Sequence, residues 1–334
     1  MKQFEKEKII FDIDPGVDDA AALALSLYDD IMDIVLVSTV SGNRDISTVT
    51  RNALHILELF RRTDIPVAIG ASKALKRISE DAAEVHKFDG LGGYIPPEVV
   101  ETQPIGMDAV EAMYQAIKKY KGNISIIAVG PHTNVAMLIL KHPEVKDMVK
   151  HIYTEGCSPY GWAKQGNWTN YISFNARTDP EALEIVCNSG IPVSLVFSRM
   201  GREMVHLTEK DALKIRDINS VGEWLYEMYD GYWEHGYKDK RIAINDTCAC
   251  LMMRAPKLFR TKKVSIKVNT TDMPGKTEFE IVKDSNIELA VAVDRYNLHR
   301  FFKKAIKKLD FIDISADVNR SKKLRALRFG GVEE

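Results

Sequence analysis

Short runs rich in Ile and Val alternate with segments of helical spacing through most of the chain. KIIFDI (8–13), DIVLVSTV (33–40), IPVAIG (65–70), ISIIAVG (124–130), HIYTEG (151–156) and IPVSLVFS (191–198) read as buried strands, too short for core helices. Between them lie helices such as the one after Asp179-Pro180-Glu181, where Asp179 caps, Pro180 fits the first turn and Gly190 terminates. This alternation predicts an α/β fold: a mostly parallel, doubly wound, Rossmann-like sheet with helices on both faces. Residues 262–292 break the rhythm. KVSIKVNT, TEFEIV and ELAVAV suggest a few late, antiparallel strands, followed by a helix from Tyr296 to Lys308. With no repeat and no linker, residues 1–309 read as one domain and 310–334 as a C-terminal extension, whose basic stretch NRSKKLRALR is expected to be a solvated face or frayed tail.

Composition narrows the function classes. The 334 residues are 45% hydrophobic, enough for a large core, and 46 basic residues nearly balance 47 acidic ones. No global field favours nucleic acid or a membrane surface. The start, MKQFEKEKII, lacks a signal peptide's apolar core, and no apolar run reaches membrane-spanning length, so a cytoplasmic location is expected. The cysteines, Cys157, Cys187, Cys248 and Cys250, form no CxxC pair and suit buried packing in a reducing compartment.

In open parallel sheets, ligands bind beyond the carboxyl ends of the strands. The unusual polar residues fall there: Asp14, Asp18 and Asp19 after the first strand, Asn43 after the second, and Pro131-His132-Thr133-Asn134 after ISIIAVG. Gly166-Asn167 and Phe174-Asn175 follow HIYTEG, and Asn245-Asp246 follows the aromatic segment MYDGYWEHGY (228–237). Four carboxylates within FDIDPGVDD stay ionised together only if a cation offsets them. Oxygen donors without thiolates or paired histidines suit a hard ion, Ca²⁺ or Mg²⁺. The spacing is not that of an EF-hand; Pro15-Gly16 instead forms a turn that can fold Asp14 back towards Asp19. The competing reading is that Asp18 and Asp19 only cap the following helix.

The segment Asp12-Ile13-Asp14-Pro15-Gly16-Val17-Asp18-Asp19 resembles the N-terminal signature of the inosine–uridine nucleoside hydrolase family. The resemblance continues through Gly42-Asn43, Asp89-Gly90-Leu91-Gly92, Gly130-Pro131-His132-Thr133-Asn134, Gly166-Asn167, Phe174-Asn175 and Asp179-Pro180-Glu181-Ala182 to Asp246. It implies that Asp14, Asp19, Asp246 and the backbone carbonyl of Thr133 ligate Ca²⁺. Asp18, Asn43 and Asn175 would hold the ribose hydroxyls, Asn167 would face the 5′ side, and Asp14 would be general base for a water held by the ion. The implied reaction is cleavage of an N-glycosidic bond to ribose and free base, as in purine and pyrimidine salvage. The chemistry is coherent: a cation-like sugar is stabilised by nearby carboxylates, and a clamp on vicinal hydroxyls supplies orientation. Asp12, within the strand end, is expected to support the loop by hydrogen bonds.

Two positions depart from the family. A proton-donating histidine is expected before the last aspartate, and Asn245 stands there; asparagine hydrogen-bonds to a base but delivers no proton. His86 and His235 are candidate replacement acids, and Tyr229, Tyr232 and Trp233 are candidates for stacking on the base, or else an aromatic core stripe. Second, Ser173 replaces a glutamate at the sugar's 5′ side, Thr154-Glu155-Gly156 replaces Met-Gly-Gly, and the loop from Cys157 to Gln165 is long, with Trp162, Lys164 and Trp168 in or beside it. A neutral Ser173 near Lys164 would admit a 5′ substituent such as a phosphate; otherwise Ser173 serves an ordinary 5′ hydroxyl.

The leading function is therefore a calcium-dependent ribohydrolase. Its main rival is a non-catalytic calcium-dependent nucleoside- or ribose-binding protein, favoured by Asn245. A Mg²⁺-dependent phosphatase using Asp12 and Asp14 lacks a lysine and further acidic motif that can be placed. The resemblance also implies a homodimer or homotetramer, and the expected ligand is a small nucleoside or riboside.

Overall fold

The computed structural model describes residues 5–77, 89–158, 171–235 and 240–329. Nine strands stand among these described residues: β1 (Glu7–Ile13), β2 (Met32–Thr39), β3 (Val67–Ile69), β4 (Ile124–Ala128), β5 (His151–Cys157), β6 (Val193–Phe197), β7 (Phe259–Val268), β8 (Thr277–Ile281) and β9 (Ile287–Val293). They form one sheet in the order β3-β2-β1-β4-β5-β6-β9-β7-β8. Pairings from β3 through β6 to β9 are parallel, whereas β7 runs antiparallel to both β9 and β8. The expected α/β class and the late antiparallel strands are both present.

Eleven α-helices stand among the described residues: α1 (Val17–Ser26), α2 (Ile46–Leu59), α3 (Ala109–Lys119), α4 (Thr133–Lys141), α5 (Phe174–Thr178), α6 (Pro180–Cys187), α7 (Glu209–Arg216), α8 (Ser220–His235), α9 (Asn245–Arg254), α10 (Arg295–Lys308) and α11 (Ser315–Phe329). The core strands β1, β4 and β6 are buried almost throughout, which is why they read as apolar runs without alternation. None of the helices among the described residues is long and apolar enough to cross a membrane.

The strand order reverses at β1, whose neighbours are β2 and β4. The crevice beyond the carboxyl ends of β1 and β4 is where such a sheet binds ligands. Asp12 pairs with Ser38 in the β1–β2 register, so its carboxylate meets the Ser38 hydroxyl at 2.6 Å and the Asn134 amide at 2.8 Å. It thereby ties three strand ends together beneath the site.

The basic C-terminal stretch is not a frayed tail. It is α11, docked on α8 with Val318 and Ser321 fully buried. Ser321 Oγ accepts from Ile95 N at 2.8 Å, the Tyr94 hydroxyl donates to Asp317, and Arg325 and Arg328 pair with Asp230 and Asp89, each at 2.9 Å. Its positive charge is matched to acidic partners on α8 and on the 89–95 loop, a complementarity that local composition does not reveal.

Candidate active site

β1 runs straight into the turn Asp14-Pro15-Gly16 and then α1. The backbone N–H of Asp14 donates to Asp19 Oδ1 at 3.2 Å, and that of Gly16 to Asp19 Oδ2 at 3.1 Å. Asp19 thus caps α1 and folds the loop inward at once, so the two readings of this residue are compatible. Asn43, arriving from the end of β2, donates its backbone N–H to Asp14 Oδ2 at 2.7 Å and its side-chain amide to Asp14 O and Asp19 Oδ2, at 3.0 and 2.9 Å. Gly42 is required by this closeness. A Cβ there would stand 2.1 Å from Asp14 Oδ2 and 2.7 Å from Pro131 Cδ.

α9 packs against α1, β5 and β6, which brings its first turn, and Asp246, to the same place. One oxygen from each of Asp18, Asp19 and Asp246 lies within 4.8 Å of the others, forming an acidic cluster that could bind a metal ion. Asp14 adjoins the cluster through Asp19. Its Oδ2 is taken by Asn43, while its Oδ1 is buried with no hydrogen-bond partner.

Burial is the main cause of perturbed acidity throughout this group. It raises the carboxyls of Asp14, Asp19 and Asp246, with the charge of Asp19 adding at Asp14 and that of Asp18 adding at Asp246. Asp18 is pushed up to about 7 by burial and then by Asp19. Mutually repelling, poorly solvated carboxylates are the electrostatic signature of a cation site.

Thr133 lies in the first turn of α4, with its hydroxyl on Asp179 Oδ2 at 2.7 Å. Asn175 enters from α5 and donates its amide to Val129 O at 2.5 Å and to Glu155 Oε2 at 2.9 Å. Ser173, the residue preceding α5, is buried and its hydroxyl pairs with Ser198 Oγ at 2.5 Å. An acidic side chain nonetheless stands close by. Glu155 places a buried carboxylate beside Asn175, pushed up to about 8 by burial and, in the same sense, by Asp18 and Asp19.

Glu155 is the site residue that sequence reasoning passed over, noted only as a departure from a motif. Its one local signal was an acidic residue in an otherwise buried strand. His132 was likewise missed as a side chain: it is buried, bonded to Thr154 Oγ1 at 2.6 Å, and held neutral with its pKa lowered to about 4 by burial.

On the α8 side, Tyr229 is fully buried and Trp233 nearly so, four residues apart on one helix face. The Tyr229 hydroxyl and the Trp233 Nε1 have no hydrogen-bond partner. Burial, then the charge of Asp18, raises the Tyr229 pKa. Asn245, the first residue of α9, accepts from Gly201 N at 2.9 Å, in a π-helical turn (Met200–Met204) beyond β6. That bond commits Oδ1 and leaves Nδ2 as the available donor. His86, Asn167, Trp162, Lys164 and Trp168 lie outside the described residues, as do the side chains of Tyr232 and His235.

A family model, inosine-uridine preferring nucleoside hydrolase, matches residues 9–302. The chain belongs to that family. It is 33% identical over 294 residues to the non-specific ribonucleoside hydrolase RihC of Escherichia coli O1:K1, covering 86% of this chain and 93% of that protein. Among solved structures, the purine-preferring ribonucleoside hydrolase of Gardnerella vaginalis superposes with a TM-score of 0.82 at 26% identity, over 91% of this chain and 99% of the other. The plant nucleoside hydrolase PpNRh1 gives 0.80 at 28% identity, over 90% and 99%. The matched region takes in every carboxylate of the cluster and stops short of α11.

Proposed function

We propose that this chain cleaves the C1′–N bond of ribonucleosides with Asp14 as general base, and that Ca²⁺ is held by Asp14, Asp19, Asp246 and the Thr133 carbonyl. Family membership makes it a nucleoside hydrolase, releasing a base and ribose. The observation that carries the finer reading is Asp14 Oδ1: a buried, unpartnered carboxylate oxygen beside three further carboxylates. An all-oxygen donor set of this kind fits a hard divalent ion. When bound, Ca²⁺ supplies charge neutralisation, a grip on vicinal hydroxyls and added acidity for the attacking water.

The protein's own groups then have distinct tasks. Asp18, Asn43 and Asn175 hold the ribose hydroxyls and fix the sugar relative to Asp14. Asp14 takes the proton of the attacking water, and the surrounding carboxylates favour the positive charge that develops on the sugar. Asn167 and Ser173 complete the sugar side. Nδ2 of Asn245 donates a hydrogen bond to the departing base without transferring a proton, while Tyr229, Trp233 and His86 line the base side. The oligomer we expect is a homodimer or homotetramer, on family resemblance.

The deciding experiment measures ribose release from purine, pyrimidine and nicotinamide ribosides, with and without chelator. Turnover should vanish on chelation and in Asp14→Ala, and return with Ca²⁺ in the unaltered chain. Full activity of the Asp14→Ala variant would refute the assignment.

A further inference from the structure

β5 does not end as a regular strand. Its pairing with β6 slips between Glu155 and Cys157, and Gly156 in between has φ 126°. A Cβ at Gly156 would meet His132 Cε1 at 2.9 Å and Asn175 Cβ at 3.0 Å. Such bulges re-aim side chains at sheet rims, and a glycine that admits close backbone approach is part of the device. The side chain so placed is Glu155, only 4% exposed.

Asn175 has two amide protons, and both have acceptors: Val129 O and Glu155 Oε2. The amide orientation is therefore fixed, with Oδ1 left as an acceptor. Were Glu155 apolar, only one proton would be fixed by the backbone. Ser198 Oγ donates its proton to Ser173 Oγ, which leaves Glu155 as the acidic group in contact with Asn175.

We propose that Glu155 is a positioning residue of the sugar site: its carboxyl oxygen holds Asn175 as a hydroxyl acceptor. This rests on the ribohydrolase reading, in which Asn175 faces the ribose.

The test compares Glu155→Gln, which keeps an acceptor for Asn175 but no charge, with Glu155→Met, which keeps neither. Steady-state kinetics on a ribonucleoside and its deoxy analogues are run in both, and Glu155→Met is also combined with Asn175→Ala. Glu155→Met should raise KM at least tenfold with a smaller change in kcat. The effect should shrink to under threefold in the Asn175→Ala background and be partly restored by Glu155→Gln. An equal loss in the Asn175→Ala background, or no recovery in Glu155→Gln, overturns the proposal. Absence of nucleoside cleavage by the unaltered chain would instead refute the ribohydrolase reading; ribose binding by calorimetry in the same variants then still reports on Glu155.

Discussion

Removing divalent ions while raising the pH tests the electrostatics of the site directly. Glu155 has a native pKa of about 8, against about 4.3 for a solvated glutamate, and Asp18 about 7 against about 4. Their native pKa values are raised, so between those limits the folded state binds more protons than the unfolded one, and stability falls as pH rises. From pH 7 to 8.5, Glu155 accounts for a loss of about 1 kcal/mol, at roughly 1.4 kcal/mol per pH unit until it ionises. Asp18, half ionised at pH 7 and less deeply buried, adds a few tenths. Asp14 and Asp246, also raised, act in the same direction. The histidines oppose only weakly. His55, His132 and His151 are held down to about 4 by burial, so only their unfolded-state titration, near pH 6.5 and largely complete by pH 7, contributes. The net expectation is a loss of about 1–3 kcal/mol, or roughly 2–6 °C in Tm for a chain of this size. Scanning calorimetry in chelator should show that fall. Saturating Ca²⁺ should raise Tm more at pH 8.5 than at pH 7, because cation and protons compete for the same oxygens. A chelated protein whose Tm is flat or rises over this window, with a Ca²⁺ shift independent of pH, would refute the reasoning.

Asp14→Asn should lower kcat by about 10²–10⁴-fold with an unchanged circular dichroism spectrum, since it removes a proton acceptor and keeps the shape; a change under tenfold would exclude Asp14 as the base. Gly42→Ala forces a Cβ onto Asp14 Oδ2, so kcat/KM should drop by at least about 10²-fold with a Tm loss of only a few degrees. Wild-type kinetics there would mean that the Asp14–Asn43 contact is not needed. Val318→Asp places a charge in the buried seam between α11 and the body, and denaturant unfolding should show a loss of about 3 kcal/mol or more. A neutral result would make α11 a dispensable appendage.

Local pattern determined a good deal by itself. Six short apolar runs specified strands, three of which, β1, β4 and β6, are buried almost throughout, and the helices between them required a parallel sheet. The acidic turn after β1 and the polar residues at strand ends marked the working edge, because parallel strands all deliver their carboxyl ends to one side. What neighbouring residues cannot encode is which distant group arrives there. Asp246 reaches the cluster only because α9 packs on α1 and β5, and Asn245 becomes a donor only because Gly201 N takes its oxygen. Glu155 was read as a motif lost, yet the bulge at Gly156 turns its carboxyl group onto Asn175. The basic tail looked solvated since its acidic partners, Asp89, Glu223 and Asp230, lie far back in the chain. Periodicity reports how each segment meets a core; pairwise electrostatics across strand ends exists only once the sheet has set their distances.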